Sequence, residues 1–492
     1  MSKPLNVLFV TSEVEPFVKT GGLADVSASL PQAIKELGHE IRIAAPRYGS
    51  ISERKFKIHD VIRLKEIEIP IGEQKKVANV NSSFIANTKA KVQVYFIASK
   101  EYFGRHGIYA SQETKKDYAD NDERFIFFSR GVLETLKRLG WQPDVIHCND
   151  WQTGLIPAYL KTIYSNDPFF KNVKTVFTIH NLAYQGVFPA ASFKKTGLPD
   201  SAFTPEGLEF YGKMSFMKAG LVYSDVITTV SEKYAEEIRT SAEYGCGLEG
   251  VIQKRKSHLH GIVNGIDHEI WNPQTDTLIA TRYDSHSIES KSENKKALLK
   301  KFNLEFKESI PIIGMISRLV DQKGLDLIER ISEDMIKADI KFVLLGAGEK
   351  QYQDFFESFH KKHPSKVGVY FGYSDEIAHL IEAGSDMYLM PSKYEPCGLN
   401  QMYSLRYGTV PIVRATGGLE DTIVDVDSAT SGTGFKFKKY EAKELLKAIH
   451  RALKMYQDQN AWKKIMRNGM AQDFSWETSA KKYATLYRTL VK

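Results

Sequence analysis

Short apolar runs of strand length alternate with segments of helical period along this chain, and the alternation occurs in two series. The first is VLFV (7–10), IRIAAP (41–46), VQVYFI (92–97), VIHCND (145–150), VFTIH (176–180) and VITTVS (226–231). Between them lie amphipathic stretches such as ADVSASLPQAIKELG and ERFIFFSRGVLETLKRLG. Strands separated by helices need crossover connections, so they belong to a mostly parallel sheet. The rhythm lapses over 272–310, where NPQTDTLIATRYDSHSIESKSENKK is polar and holds no strand. It restarts with PIIGMIS (311–317), KFVLLGAG (341–348), VGVYFGY (367–373), MYLMPS (387–392) and VPIVRA (410–415). The pattern predicts an α/β chain of two Rossmann-like, doubly wound domains, 1–262 and 263–474, facing a central cleft. The last segment, WETSAKKYATLYRTLV, reads as a helix within 475–492 that packs back across the joint. A chain of 492 residues is too long for one core and accommodates this division. Ligands of such sheets bind beyond the carboxyl ends of the strands, so the loops there are the places for chemistry.

Composition narrows the class of partner. With 42% hydrophobic and 26% charged residues the chain reads as globular. Its longest apolar stretches, VLLGAG and LNVLFV, are too short to cross a bilayer. The N-terminal sequence runs into Glu13 and Glu15 without a signal-peptide pattern, so a cytoplasmic protein with no membrane partner is expected. Three widely spaced cysteines, Cys148, Cys246 and Cys397, suit a reducing compartment and suggest neither a disulfide framework nor a zinc site. The net charge of +7 is spread thinly. The one basic stretch, KSENKKALLKKFNLEFK, reads as a solvated helix face rather than a nucleic-acid surface. No nucleic-acid partner is expected, whereas an anionic small molecule would fit a basic protein.

Two nearly identical hexapeptides, TGGLAD (20–25) and TGGLED (416–421), stand one in each half. Glycine pairs permit positive φ and close backbone approach, and the helix after each brings a positive N-terminal end. They read as opposite walls of one site or as relics of common ancestry. A G-x-G-x-x-G fingerprint is missing after the first strand, where VTSEVEPFVKTGG stands, so hydride transfer is disfavoured. SRLVDQKG places Arg318 and Lys323 beyond the first strand of the second half, where two cations could grip a diphosphate. In PSKYEPCGLNQMYSLRYG, Pro396 reads as opening a helix, with Gly398 in its first turn. On that reading Cys397 lies at a helix N-terminus among cations, and a reactive thiol is expected. HCNDWQTG and FTIHN put Asp150 and His180 at strand ends. His147 beside Cys148 has no matching ligand pair elsewhere, and a metal site is rejected.

VKTGGLADV, FTIHNLAYQG, VNGID…WNP, SRLVDQKG and SKYEPCGLNQMYSLRYGTVPIVRATGGLEDT, in this order and spacing, resemble bacterial glycogen synthase and plant starch synthase. The resemblance covers essentially the whole chain. It implies the GT-B arrangement of two Rossmann-like halves. It also implies transfer of glucose from ADP-glucose to the non-reducing end of an α-1,4-glucan (glycogen or a maltooligosaccharide). The α configuration would be retained, with no metal or other cofactor. By motif, Lys19 would reach the donor phosphates, with the Gly21 and Gly22 amides and Asp25 close by. His180 and Asp150 would contact the donor glucose, and Asn264 would line the cleft near the sugar. Arg318 and Lys323 would bind the diphosphate, and Tyr373 would stack near the adenine. Glu395 would hold glucose hydroxyls, while Cys397, Gly398, Leu399, Thr416, Gly417 and Gly418 would cradle glucose and phosphate.

Many related glycosyltransferases carry a second glutamate eight residues after the first. Tyr403 stands there in this chain, as in glycogen and starch synthases, which weakens a sucrose-synthase-like reading. The lack of a plastid-targeting extension points to a bacterial enzyme. Alternatives from the sequence alone are UDP-glucose as donor, a phosphorylase, and a non-catalytic glucan-binding homologue. No motif for a pyridoxal-phosphate lysine is visible, and the intact Lys19, His180, Arg318, Lys323 and Glu395 argue against decay.

Overall fold

The computed structural model describes residues 3–86 and 90–492. It divides into two compact units. The first takes the described residues through Val230, then Ala235–Gly265 and Trp476–Lys492; the second takes Ser231–Tyr234 and Ile266–Ser475.

Among the described residues, the first unit's main sheet begins Leu259–Gly261, Val226–Thr229, Lys174–Ile179, Val145–Asn149, Asn6–Val10. It continues Glu40–Pro46, Lys91–Ala98, Gln74–Ala86, His59–Asp60, with Ile67–Ile71 paired to Gln74–Ala86. Every pairing from Leu259–Gly261 to Lys91–Ala98 is parallel. A parallel sheet covered on both faces wants unbroken apolar strands, and Val7, Leu8, Phe9 and Val10 are each at most 1% exposed. Burying each such side chain stabilises the unit by about 1.5–3 kcal/mol. The strands beyond Lys91–Ala98 run antiparallel. So does a small sheet of Glu209–Phe210, Lys213–Ser215 and Val187–Pro189. The strand–helix rhythm does not predict either, because antiparallel strands need no helix between them.

The C-terminal helix Trp476–Val491 belongs to the first unit. Trp476, Ala480, Tyr483, Ala484 and Tyr487 form its buried face at helical spacing. The Tyr487 hydroxyl lies 2.7 Å from His147 Nδ1, and Ser479 Oγ donates to the Val263 carbonyl at 2.7 Å. His147 Nε2 is 2.6 Å from Thr178 Oγ1, so both ring nitrogens are engaged. Gly265 permits this close packing, since a Cβ there would lie 2.6 Å from the Trp476 Cα.

The second unit's sheet is parallel throughout, in the order Val367–Phe371, Lys341–Gly348, Ile312–Leu319, Met387–Met390, Val410–Arg414, Phe435–Phe437. Its core joins Ile313, Met315, Phe342 and Leu344 to Leu327, Ile328 and Ile331 of the helix Leu325–Lys337. Residues 272–310 hold no strand but carry the helix Lys291–Lys301. Here the expected solvated basic face is corrected, because Lys291 and Lys295 are buried. Both lie on the helix face that also buries Asn294, Leu298 and Leu299. Lys291 Nζ donates to the carbonyls of Glu382 at 3.1 Å and Ala383 at 2.7 Å, in the last turn of Asp375–Gly384. Lys295 pairs with Asp386 at 2.8 Å. The last turn of a helix leaves carbonyls unpaired, and a lysine satisfies them well.

No helix among the described residues is long and apolar enough to cross a membrane.

Candidate active site

Strand order reverses once in each unit. The first unit starts at Asn6–Val10, builds outward through Lys91–Ala98, and resumes on the other side with Val145–Asn149. The second starts at Ile312–Leu319, adds Lys341–Gly348 and Val367–Phe371, and resumes with Met387–Met390. Loops leaving the strands beside such a switch point diverge and leave a crevice for a ligand. In the first unit, Lys19, Gly21, Gly22 and Asp25 follow one flanking strand and Asp150 the other, with His180 after the next strand. In the second, Lys323 follows the strand Ile312–Leu319 and Glu395 follows Met387–Met390, with Thr416–Gly418 after Val410–Arg414 and Tyr373 after Val367–Phe371.

A carboxylate with no motif of its own holds the first unit's loop. Glu13 is buried and accepts the Thr20 N–H and the Thr20 hydroxyl, each at 2.5 Å, and the Tyr109 hydroxyl at 2.7 Å. That grip sets Lys19 and Gly21, the neighbours of Thr20, at the start of the helix Gly22–Glu36. Lys19 Nζ pairs with Asp25 Oδ1 at 2.6 Å. Burial holds the Asp25 carboxyl above its usual range against the pull of Lys19.

Asp150 has φ of +55° with ψ of −179°, a conformation occupied almost only by glycine, which costs another residue about 1–3 kcal/mol. Strain of this kind at a strand end points to function. Its Oδ1 accepts the His180 N–H at 2.8 Å. Burial pushes the Asp150 carboxyl up to about 7, against the backbone N–H groups of His180 and Asn181, and Glu13 adds to the rise. The His180 ring lies 2.9 Å from Asn149 Oδ1 through Nε2. Burial pushes the ring down to about 3, so it is neutral near pH 7. Asn264 belongs to this unit, and its buried Oδ1 has no hydrogen-bond partner among the described residues.

In the second unit the charges of Lys323 and Glu395 meet at 2.6 Å, and Ser392 Oγ donates to the same carboxylate oxygen at 3.0 Å. An ammonium has three donors, so Lys323 keeps capacity for a phosphate. Arg318 lies within its strand, one residue before the end, rather than in the loop expected to carry it; it is exposed, and its guanidinium has no carboxylate partner among the described residues. Tyr373 is 83% exposed, which leaves its ring accessible. Tyr403 stacks on Trp271 at 3.9 Å, and Trp271 stacks on His379 at 4.0 Å.

Three expectations need correction. Pro396 does not open a helix: the helix is Asn400–Arg406, and 391–399 is irregular. Gly398 is needed for a different reason, a φ of +72° and a Cβ position 2.5 Å from Gln401 Oε1. Cys397 therefore precedes the helix and is buried, and the exposed thiol is Cys246. Burial withdraws the exposure that a reactive thiol requires. The two hexapeptides also differ. Gly21 is extended, with open space where a Cβ would go. Gly417 has φ of +45°, and a Cβ there would meet the Glu395 carbonyl at 2.0 Å; one on Gly418 would meet that of Cys397 at 2.0 Å. The Gly418 N–H donates to the Glu395 carbonyl at 3.0 Å and the Thr416 N–H to that of Arg414 at 2.9 Å, so both amides are engaged within the unit. Gly398 and Leu399 make no such use of their N–H groups among the described residues.

The sequence reading misses Glu13, Tyr109, Asn149 and Ser392. The only local signal is a charged residue amid buried neighbours at Glu13 and the adjacency of Asn149 to Asp150. Among the described residues no cluster of three or more His, Cys, Asp or Glu side chains could hold a metal ion.

Residues 6–254 match the family model "Starch synthase catalytic domain", and residues 298–469 match "Glycosyl transferases group 1". Glycogen synthase from Desulforudis audaxviator is 48% identical over 99% of this chain and 96% of its own length. Glycogen synthase from Koribacter versatilis is 46% identical over 98% of each chain. The catalytic domain of starch synthase IV from Arabidopsis thaliana, solved bound to ADP and acarbose, superposes with a TM-score of 0.90 at 32% identity. That match covers 99% of this chain and 100% of the other. Because these matches span both series of strands and run end to end, the chain belongs to the glycogen synthase and starch synthase family of GT-B glycosyltransferases.

Proposed function

We propose that this protein is a retaining glucosyltransferase that moves glucose from ADP-glucose to the non-reducing end of an α-1,4-glucan. The observation that carries the reading is the Lys323–Glu395 pair at the second unit's switch point, 2.6 Å apart, with Arg318 exposed near the end of the strand Ile312–Leu319. The ADP and acarbose of the Arabidopsis structure support an adenine nucleotide and an oligosaccharide as ligands.

In the reaction the bond from glucose C1 to the diphosphate oxygen breaks, and its electron pair leaves with ADP. The acceptor 4-hydroxyl bonds to C1 from the same face and passes its proton to a phosphate oxygen. Arg318 and Lys323 stabilise the developing diphosphate charge, and Lys19 adds a third cation. Each such group contributes a few kcal/mol when well aimed. Glu395 and Asp150 accept hydrogen bonds from glucose hydroxyls, and Asn264 turns its unpartnered Oδ1 to the same purpose. Gly398 and Leu399 offer N–H groups, Gly21 and Gly22 allow close approach, and Tyr373 covers the base.

The test measures glucose incorporation into glycogen from ADP-glucose and UDP-glucose in parallel, with and without EDTA. ADP-glucose should be the faster donor, and EDTA should leave the rate unchanged. Lys323→Ala should lower turnover by roughly 100-fold. Incorporation from neither donor, faster transfer from UDP-glucose, or loss in EDTA restored by a divalent ion would overturn the respective part of the reading.

A further inference from the structure

Asn149 is the last residue of its strand and is fully buried. Its Nδ2 donates to the Val10 carbonyl at 3.0 Å and reaches the His147 carbonyl at 3.4 Å. Carbonyl oxygens only accept, so the amide has one acceptable orientation; turned over, Oδ1 would face two oxygens. Oδ1 is thereby committed to His180, whose Nε2 lies 2.9 Å away. An amide oxygen accepts only, so Nε2 must carry the proton. A neutral imidazole with a proton on Nε2 has none on Nδ1. The ring makes no other hydrogen bond among the described residues.

We infer that Asn149 is a positioning residue that fixes His180 as its Nε2–H tautomer, so that Nδ1 acts as an acceptor for a sugar hydroxyl. The opposite tautomer would present an N–H and suit a phosphate oxygen. An Nδ1 lone pair repels that oxygen and attracts an O–H, which assigns His180 to the glucose rather than to the diphosphate. The companion residue acts on the backbone: Asp150 takes the His180 N–H at 2.8 Å, so consecutive residues of one strand end hold both ring and main chain. The assignment to glucose rests on the function proposed above; the tautomer itself does not.

The experiment uses the full chain labelled with 15N-histidine. Nitrogen NMR near pH 7.5 reads the tautomer, with the His180→Ala variant identifying the signal. The parent should show a protonated Nε2 and a bare Nδ1 at His180. Asn149→Ala should mix or reverse the tautomer and lower kcat at least tenfold, with the Kd for ADP changed less than threefold by calorimetry. A protonated Nδ1 in the parent, or an unchanged tautomer and kcat in Asn149→Ala, would overturn the inference. The parent measurement needs no variant of Asn149, so a misfolded Asn149→Ala leaves it decisive. Undiminished transfer by His180→Ala, with the Nε2–H tautomer present in the parent, would instead refute the glucose contact and leave the lock standing.

Discussion

At Asp150 a positive φ and a half-buried carboxyl coincide, and both were invisible in HCND, which shows only an acid at a strand end. Folded, the carboxyl titrates at about 7; unfolded, it titrates near the ordinary aspartate value of about 3.9. The folded state therefore keeps a proton that the unfolded chain has released. The stability tied to that proton is fully present below the unfolded value and is lost as pH rises through about 7. Asp150→Asn should remove this slope. Relative to the parent, the variant should be more stable at pH 8 than at pH 5, on the order of 2 kcal/mol, while glucose transfer falls. Thermal melts at the two pH values decide it, and parallel profiles for the two proteins would contradict the account of a carboxyl pushed up by its surroundings. Cys397 and Gly398 make the same point from the other side. Their residue types marked a special loop correctly, but the positive φ of Gly398 and the burial of Cys397 depend on Gln401 and Gly418 packing against them.

Elements were more legible than their surroundings. The helix Lys291–Lys301 follows from its sequence, yet its lysine-rich composition suggests water where the structure places carbonyls. Burial pulls the Lys291 amine down to about 7, with Asp386 and Glu382 opposing. Lys291→Met should leave the last-turn carbonyls of Asp375–Gly384 and the Thr409 hydroxyl short of a donor. The expected loss is about 2–4 kcal/mol, with Lys300→Met on the exposed face within about 0.5 kcal/mol of the parent. Denaturant melts followed by hydrogen exchange in the second unit measure both; equal effects would mean that the buried amine holds nothing. The two TGGL loops carry a similar lesson. One hexapeptide is open at Gly21, and the other is packed against the carbonyls of Glu395 and Cys397, because a repeat does not specify its neighbours.

At the scale of the molecule, the chain leaves its first unit at Gly265 and returns to it at Trp476. The returning helix is held at His147, whose Nδ1 would lose its partner in Tyr487→Phe. A buried polar group left without its partner costs about 1–3 kcal/mol. Because two units need not unfold together, a single melting midpoint is a poor measure. Hydrogen exchange should quicken in peptides of the first unit, Val145–Asn149 and Lys174–Ile179 among them, and stay unchanged in Ile312–Leu319. Equal acceleration in both units would show that the anchor serves the whole chain.

By itself, the sequence determined the strand and helix periods, their two series, the polar interval at 272–310 and the order of the family's motifs. Those are local properties: hydrophobic period and turn chemistry act over a few residues and survive without knowing what packs where. What only the tertiary structure decided is which charged and polar groups meet. Lys323 and Glu395 are 72 residues apart, Glu13 and Tyr109 are 96 apart, and His147 and Tyr487 are 340 apart. Hydrogen bonds act over about 3 Å, so such pairs have no signature in any window of sequence. Sheet order brings their strands together, and with them the grip on Lys19, the buried lysines and the single orientation of the Asn149 amide.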